Sequence, residues 1–230
     1  MPRPARKLII AIDGPSGAGK GTIARALAAR LAYRHVDTGA MYRAVAWKAL
    51  RQGLDLHDEA AVASVSDRAL FDLDAGHVLI DGEDVSTAIR TPAIDKGAAA
   101  VARHPAVRRA LVARQQEMGH GGGVVMEGRD IGTVVFPDAD LKIYLDASPE
   151  ERARRRAADP AHHAAGSSAL VDVATALAER DRTDSTRAAS PLAMAPDAIH
   201  IETTGVPIES VVERVMTMVD SFIAGKNGRV

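Results

Sequence analysis

A glycine-rich loop between an apolar run and a helical pattern constrains this chain more than any other feature. Residues 8–12 are all apolar, and residues 13–22 read DGPSGAGKGT, with three glycines in six positions. Apolar residues then recur four apart at Ile23, Leu27 and Leu31, as on one face of a helix. Glycines let backbone N–H groups turn inward, and a helix start adds unpaired donors and the positive end of its dipole. The order of strand, glycine loop and helix therefore predicts a phosphate-binding loop for a nucleoside triphosphate.

The end of this loop departs from the general phosphate-loop pattern. Lys20 is placed to bring a cation to the outer phosphates, but Gly21 stands where a Ser or Thr ordinarily follows the lysine, and Thr22 comes one residue later. The pattern alone thus leaves a direct contact between a hydroxyl and Mg²⁺ open. The alternative, a glycine-rich surface turn, is disfavoured by the flanking strand and helix. The residues expected to bind the triphosphate are Gly14, Pro15, Ser16, Gly17, Ala18, Gly19, Lys20, Gly21 and Thr22.

Composition bounds the class of protein. The chain has 230 residues, 47% of them hydrophobic, which suits one compact domain with small insertions. A net charge of −1 gives no global field for nucleic acid or anionic lipid. The absence of cysteine excludes disulfides and thiolate metal sites and fits a reducing compartment. The first apolar run stops at Asp13, too early for a signal peptide, and no later segment approaches a membrane span. We expect a soluble, cytoplasmic monomer with small-molecule partners, no nucleic acid and no membrane.

Strand and helix patterns alternate along most of the chain. Strands are expected near residues 8–13, 34–37, 123–127, 140–146 and 198–202, with helical patterns between them. This alternation predicts an α/β fold with a parallel sheet covered by helices on both faces. Ligands bind beyond the carboxyl ends of such strands, so we expect the polar residues that follow the strands to share one crevice.

Two segments depart from the alternation. Residues 70–74 and 77–81 flank an Ala-Gly turn and predict a hairpin, to which residues 82–85 add a third short strand. Tight turns do not belong to a parallel sheet, so this stretch is expected to be an inserted subdomain. Residues 157–168, rich in alanine and histidine, predict a mobile loop. The eight histidines show no metal-ligand spacing and are expected to be solvated.

A second set of anion-binding groups would distinguish a kinase from a nucleotide-operated switch. Thr38 is expected to cap a helix that carries Arg43 in its first turns, an arrangement that can hold a second phosphate. Arg129 and Asp130 follow a buried strand and suit a phosphate and an amino group, respectively. A surface salt bridge at Arg43 and a structural ion pair at Arg129 and Asp130 are the alternatives.

Two further clusters carry charge near the predicted mobile loop. Arg180, Asp184 and Arg187 share one face if their helix continues, and could grip phosphate oxygens and a ribose hydroxyl. The alternative there is a solvated ion pair worth only about 0.3–0.5 kcal/mol. Four more arginines lie just before the loop: Arg152, Arg154, Arg155 and Arg156. On a closing flap they would meet the charge of a moving phosphoryl group, although a solvated basic face is nearly as well supported.

Together these motifs resemble the bacterial cytidylate kinases, a family of nucleoside monophosphate kinases. The resemblance rests on residues 13–22, 37–43, 82–90, 128–137 and 180–187 and covers essentially the whole chain. It implies ATP-dependent phosphorylation of CMP and dCMP with Mg²⁺, on a P-loop core with a helical lid and an inserted monophosphate-binding region. The Lys-Gly-Thr ending is normal in this family. The implied boundaries are a core of about 5–55, 105–150 and 195–225, an insert of about 56–104 and a lid of about 151–185.

The resemblance also implies roles for individual residues. The acceptor phosphate would be held by Thr38, Tyr42, Arg43, Arg129 and Arg187. The cytosine would be read by Arg108 and Asp130, and the sugar would be met by Arg180 and Asp184. The catalytic residues would be Lys20, Arg129 and Arg187, and Arg156 would join the ATP site. Two features depart from the family: Ala99 stands where a hydroxyl residue often contacts the base, and the lid lacks the usual Lys-Gly element.

The expected chemistry needs no Ser, Cys or His nucleophile, because the acceptor oxygen already carries negative charge. Catalysis would then be positioning and charge stabilisation, with Mg²⁺ held mostly by phosphates and water. One rival is a P-loop kinase of another small acceptor such as a sugar acid, which the surplus of arginines disfavours. The other is a nucleotide-operated switch, which would need no second anion pocket. Guanine-binding switches usually carry an Asn-Lys-x-Asp run, and this chain has none.

Overall fold

The computed structural model describes residues 7–74, 76–159 and 170–227. Its strands are β1 (Ile9–Asp13), β2 (Arg34–Asp37), β3 (Phe71–Asp74), β4 (His77–Ile80), β5 (Glu83–Asp84), β6 (Val124–Glu127), β7 (Leu141–Asp146) and β8 (Ile199–Glu202). Its α-helices are α1 (Lys20–Leu31), α2 (Thr38–Arg51), α3 (Glu59–Arg68), α4 (Pro92–Val101), α5 (Pro105–Gly119), α6 (Pro149–Ala158), α7 (Leu170–Thr186) and α8 (Ile208–Asn227). A short π-helical turn, Ile131–Val135, follows β6.

Five strands form the central sheet in the order β2, β6, β1, β7 and β8. Every neighbouring pair in it is parallel, so the strands' carboxyl ends share one edge. The central strand β1 pairs on both sides, with Ile10 opposite Val125 of β6 and Leu141 of β7. The predicted α/β fold with a parallel sheet is confirmed.

Alternation of side chains along β1 divides the core into two layers. Ile10 and Ile12 are buried against residues of α1 and α8, such as Leu27 and Val215. Ala11 faces the opposite layer, which α2, α3 and α5 cover. Successive strand side chains point to opposite faces of a sheet, so a strand that is buried on both faces needs an unbroken apolar run. The run at residues 8–12 meets this requirement.

The predicted insertion is a second, antiparallel sheet of three strands in the order β3, β4, β5. Phe71 lies opposite Ile80, and Leu79 lies opposite Asp84, so β4 is the middle strand. Val78 and Ile80 are buried against the layer that contains α2. The expected hairpin with a third short strand is confirmed, and it packs on the core.

The start of α2 differs from the sequence prediction by one residue. Asp37, not Thr38, is the N-cap, and its carboxylate accepts from the backbone N–H of Ala40 at 3.0 Å. Thr38 is the first helical residue, and its hydroxyl donates to the carbonyl of Glu127 at 2.7 Å. The strand ends directly at Asp37, whose extended backbone suits a cap. Thr38 thus ties the helix start to the end of β6 and does not cap the helix.

The end of α7 bears on the cluster of Arg180, Asp184 and Arg187. Helix α7 ends at Thr186, so the helix does not continue through Arg187, whose guanidinium nevertheless lies 3.7 Å from Asp184. In α8, Ile208 is 45% exposed, whereas Val211 and Val215 are buried. The Ser148 side chain does accept from the N–H of Glu151, as the capping-box spacing predicts. Most of the predicted mobile loop, residues 160–168, lies outside the described residues.

Among the described residues, no helix combines the length and apolar character needed to cross a membrane.

Gly14 joins β1 to the glycine loop in a conformation that other residues avoid. Its φ is +142°, and a Cβ placed on it would lie 2.0 Å from the carbonyl oxygen of Leu145 in β7. We predict that Gly14→Ala lowers the free energy of unfolding by about 3 kcal/mol or more, since backbone strain and overpacking both contribute. Denaturant-induced unfolding measures the change.

Gly53→Ala is the matched control. Gly53 also has a positive φ, +69°, but nothing lies within 4 Å of the added Cβ. Its cost should be limited to the backbone strain of about 1–2 kcal/mol. Equal costs for the two variants would contradict the close approach of Gly14 to β7.

Candidate active site

A cleft of about 680 Å³ opens at the carboxyl edge of the parallel sheet. The glycine loop, the start of α2, the end of β6, helices α6 and α7 and the segment after β8 all contribute to its lining. Ten arginines of the described chain line it: Arg25, Arg43, Arg90, Arg108, Arg129, Arg154, Arg155, Arg156, Arg180 and Arg187. The strand ends therefore bring the predicted clusters together, and the result is a strongly cationic cavity.

The glycine loop presents its lysine in a buried position. Lys20 Nζ donates to the carbonyl of Pro15 at 2.8 Å, and the residue is 7% exposed. Burial, with added repulsion from Arg129, lowers the pKa of Lys20 from 10.5 to about 7. Gly19 at the N-cap of α1 makes no side-chain capping bond. The helix start thus keeps backbone donors for an anion.

Asp13 fixes the loop's strand to the turn after β6. Its carboxylate accepts from the backbone N–H groups of Ile131 at 2.8 Å and Gly132 at 2.7 Å. Burial raises the pKa of Asp13 from 3.8 to about 6, although both hydrogen bonds oppose that rise. These bonds hold the Gly-Arg-Asp segment beside the phosphate loop.

Arg129 and Asp130 turn to different partners. Arg129 Nε donates to Asp184 at 2.9 Å, while Asp130 accepts from Arg108 in a buried ion pair. Arg187 lies 3.7 Å from a carboxylate oxygen of Asp130 and 3.7 Å from one of Asp184. Two carboxylates and three guanidinium groups therefore form one continuous network, in which Arg129 and Asp130 are both ion-paired, though not with each other.

Several guanidinium groups in and beside this network keep unused donors. Among the described residues, buried nitrogens without a hydrogen-bond partner include Arg43 Nε, Arg108 Nε, Arg180 Nε and Arg187 Nη2. All four side chains line the cleft. A buried donor without an acceptor costs about 1–3 kcal/mol, which a bound anion or a base with acceptor atoms would recover. The network is therefore incomplete without a ligand.

The start of α2 adds a second, partly buried pair. Arg43 Nη2 donates to Asp37 at 2.8 Å. Burial alone would raise the pKa of Asp37, but Arg43 and the backbone N–H of Ala40 hold it below its ordinary value. Burial raises the pKa of Tyr42 to about 12, so its phenol stays protonated, and the Arg108 guanidinium lies 5.6 Å from its ring centroid.

The four arginines of α6 have four different environments. Arg152 is 8% exposed, donates to the carbonyl of Ser16 at 3.2 Å and pairs with Asp181. It supports the glycine loop from behind, so the flap and solvated interpretations are both wrong for it. Arg154 has a side chain that is 67% exposed and pairs with Glu151 on its own helix. It fits the solvated alternative.

The other two arginines of α6 reach beyond their helix. Arg155 donates to the carbonyl of Thr203 after β8 at 2.6 Å and to that of Ala18 in the glycine loop at 3.4 Å. Arg156 pairs with Asp95 of α4. The sequence prediction did not identify Asp95, whose partners are distant in the chain.

The expectation of solvated histidines is wrong for two residues. His35 has a side chain that is only 13% exposed, and its Nε2 lies 2.9 Å from Glu127 Oε1. His104 Nε2 lies 2.7 Å from the carbonyl oxygen of Leu56. The position of His35 within the short strand pattern was an available signal for burial. His162 and His163 lie outside the described residues.

Comparison with known proteins places this geometry in a family. The sequence model described as cytidylate kinase matches residues 10–221. A cytidylate kinase of Solibacter usitatus is 49% identical, covering 97% of this chain and 96% of that protein. A cytidylate kinase of Pelotomaculum thermopropionicum is 51% identical, covering 92% and 96%. One of Geobacillus kaustophilus is 47% identical, covering 95% and 99%.

Solved structures support the fold alone. Shikimate kinase from Bacteroides thetaiotaomicron superposes with a TM-score of 0.51 at 12% identity, covering 93% of this chain and 98% of that one. At that identity the likeness carries no statement about substrate. The sequence relatives do establish common descent, because they match this chain over nearly its whole length. The chain belongs to the cytidylate kinase family.

Proposed function

We propose that this protein transfers the γ-phosphoryl group of ATP to CMP and dCMP, giving ADP with CDP or dCDP. The observation that carries the proposal is one cleft that joins the phosphate loop to a second, buried set of guanidinium groups with unused donors. A switch protein needs the first anion site but has no use for the second. The names of the relatives supply the choice of cytosine among the possible acceptors.

The donor triphosphate is assigned to the loop of residues 14–22. Backbone N–H groups and Lys20 would cradle its phosphates, and Arg156 would meet the outer ones from α6. Val206 and Ile208 are exposed apolar side chains, at 37% and 45%, that line the cleft after β8. They suit a flat apolar base, so we assign the adenine to this end.

The residues near the loop fit a hydrated magnesium ion. The carboxylate of Glu127 lines the cleft and lies beside Gly21, where a Cβ would be 3.1 Å from Glu127 Oε1. Mg²⁺ usually keeps several waters and binds through one or two carboxylates and substrate phosphates. Glu127 is therefore the side chain we assign to its water shell, with most ligands from phosphates and water. When bound, the ion would neutralise charge on the donor oxygens.

The acceptor phosphate is assigned to the arginine network. Arg43, Arg129 and Arg187 would hold it, together with Thr38 and Tyr42. The Thr38 hydroxyl donates to the carbonyl of Glu127, so it has to rotate before it can donate to a phosphate. Arg180 and Asp184 are assigned to the sugar, since both line the cleft beside Arg129. Lys20, Arg129 and Arg187 are the groups that would stabilise the transferring phosphoryl group.

Cytosine is assigned to Arg108 and Asp130. One oxygen of Asp130 accepts from Arg108, which leaves the carboxylate with further lone pairs for the exocyclic amino group. Ala99 and its neighbours Ala98 and Ala102 line the cleft with apolar surface only. No hydroxyl at Ala99 can share in reading the base, so the Arg108–Asp130 pair carries the discrimination.

The division of the chain follows from these assignments. Residues 56–104, with α3, α4 and the small sheet, would form the monophosphate-binding insert, and residues 151–185 would form the lid. The remaining segments make up the core that holds the phosphate loop. Closure of the lid over both nucleotides would exclude water and suppress hydrolysis of ATP. A monomer suffices for this arrangement, because one chain supplies both sites.

Acceptor selectivity tests the function directly. We predict that ADP release coupled to a reporter enzyme is fast with CMP and dCMP and at least about tenfold slower with UMP, AMP or GMP. Uracil presents a carbonyl where cytosine has its amino group, and an unpaired buried acceptor costs about 1–3 kcal/mol. ADP release that needs no acceptor would favour the switch, and equal rates with CMP and UMP would remove the assignment of Asp130.

Asp130→Asn isolates the reading of the base. Asn keeps the shape of the side chain but can donate to a uracil carbonyl, so the ratio of kcat/KM for CMP to that for UMP should fall toward one. Removing the side chain altogether would strand the buried Arg108 and damage folding. Asp138→Asn, an exposed change eight residues later, is the control and should leave the ratio unchanged.

Lys20 predicts a proton uptake on donor binding. With a pKa lowered to about 7 by burial, its amine is mostly neutral at pH 8 before a phosphate binds. A polyphosphate favours the charged amine, so ATP binding at pH 8 should take up about one proton, and affinity should fall as pH rises above 7. Calorimetry in two buffers of different ionisation enthalpy measures the uptake. Lys20→Met should abolish it, and equal uptake in both proteins would contradict the assignment.

A further inference from the structure

Asp95 joins three helices that the proposed function assigns to different substrates. It lies on α4, and its carboxylate meets Arg156 of α6 and Arg180 of α7. Arg156 donates to Oδ2, while Arg180 Nη1 lies 3.4 Å from Oδ1, so each oxygen faces a different helix. The three side chains are 12%, 22% and 19% exposed, respectively. Ion pairs between partly buried side chains restrict geometry more than fully exposed pairs do.

The two arginines line the cleft, whereas the described lining does not pass through Asp95 itself. The two oxygens of the carboxylate each face one of these arginines, so Asp95 can determine where the two guanidinium groups point.

The charges around Arg156 and Arg180 explain why these arginines need a carboxylate partner. Burial lowers the pKa of Arg180, and repulsion from Arg129 lowers it further, while Asp95 acts in the opposite direction. Arg156 has the same pattern, with burial first and Arg43 among the repelling groups. Without Asp95 both side chains would gain by turning outward to water. The ion pairs with Asp95 offset this tendency and keep the guanidinium groups of Arg156 and Arg180 at the cleft.

We propose that Asp95 is a positioning residue that aims the ATP-site Arg156 and the CMP-site Arg180 into the cleft and thereby links the two substrate sites. The inference rests on the proposed function for the identity of the two nucleotides. Because one carboxylate serves both arginines, a single substitution should disturb donor and acceptor binding together. A substitution at either arginine alone should disturb mainly its own side.

The test begins with Asp95→Asn, which keeps the side-chain size and removes the charge. We expect KM to rise for both ATP and CMP and kcat to fall about 10- to 100-fold, as misplacement of a binding group by about 1 Å can cause. The thermal unfolding midpoint should change little. Asp95→Glu, which restores the charge, should recover a large part of the activity. Wild-type KM values in Asp95→Asn would overturn the proposal.

Double-mutant cycles separate positioning from a general structural role. If Asp95 acts through the arginines, Asp95→Asn should add little to the KM for ATP in Arg156→Gln, and little to the KM for CMP in Arg180→Gln. Full additivity in both cycles would overturn the proposal. Glu83→Gln is the matched control. Glu83 of β5 also pairs with an arginine, Arg51 of α2, but neither residue is part of the cleft lining. This substitution should leave both KM values unchanged.

A binding measurement keeps this test apart from the test of function. Calorimetric titration of ATP into wild type and Asp95→Asn reports on Arg156 whether or not CMP is the acceptor. Weaker ATP binding in the variant supports the positioning role even if wild type fails to phosphorylate CMP. If wild type phosphorylates CMP but wild type and Asp95→Asn bind ATP equally well, the proposed function stands and the role of Asp95 is overturned.

Discussion

The structure depends on holding many positive charges together in one cavity before any anion arrives. Ten arginines of the described chain and Lys20 line a cleft of about 680 Å³, where like charges at short range repel one another. Carboxylates paired with the arginines offset this repulsion: Asp37, Asp95, Asp130 and Asp184. At Lys20, burial and then repulsion from Arg129 lower the pKa of the amine to about 7. An entering phosphate would supply the negative charge that favours the protonated amine.

The phosphate loop owes its shape to contacts from outside the loop as much as to its own glycines. Arg152 of α6 binds the carbonyl of Ser16 from behind, and a Cβ on Gly17 would lie 2.9 Å from Cβ of that same arginine. Asp13 joins the strand before the loop to the segment that carries Arg129 and Asp130. The glycine loop and the Gly-Arg-Asp segment are therefore fixed to one another through the Asp13 carboxylate, which accepts from backbone N–H groups of the core.

The sequence was sufficient for features that depend on local periodicity and on strand ends. Short windows of sequence were enough to predict the apolar run at residues 8–12, the glycine loop and the hairpin. Parallel strands also bring the residues that follow them to one edge of the sheet, however far apart those residues lie in the chain. Cap position was less secure, because Asp37 and Thr38 are both good caps and only the end of β2 decides between them. Family resemblance supplied Arg108, which the pattern alone could not classify.

Tertiary charge pairing is the part that no spacing rule could reach. Arg156 and Asp95 are 61 residues apart, and Arg152 and Asp181 are 29 apart. Any of the chain's 30 acidic residues could in principle have served either arginine. The pairing has a consequence for the cleft: Arg152 binds the glycine loop and Asp181 and does not line the cavity, whereas Arg156 pairs with Asp95 and does. Arginines one turn apart on the same helix thus differ in surroundings, and the difference lies in which partner the fold brings to each.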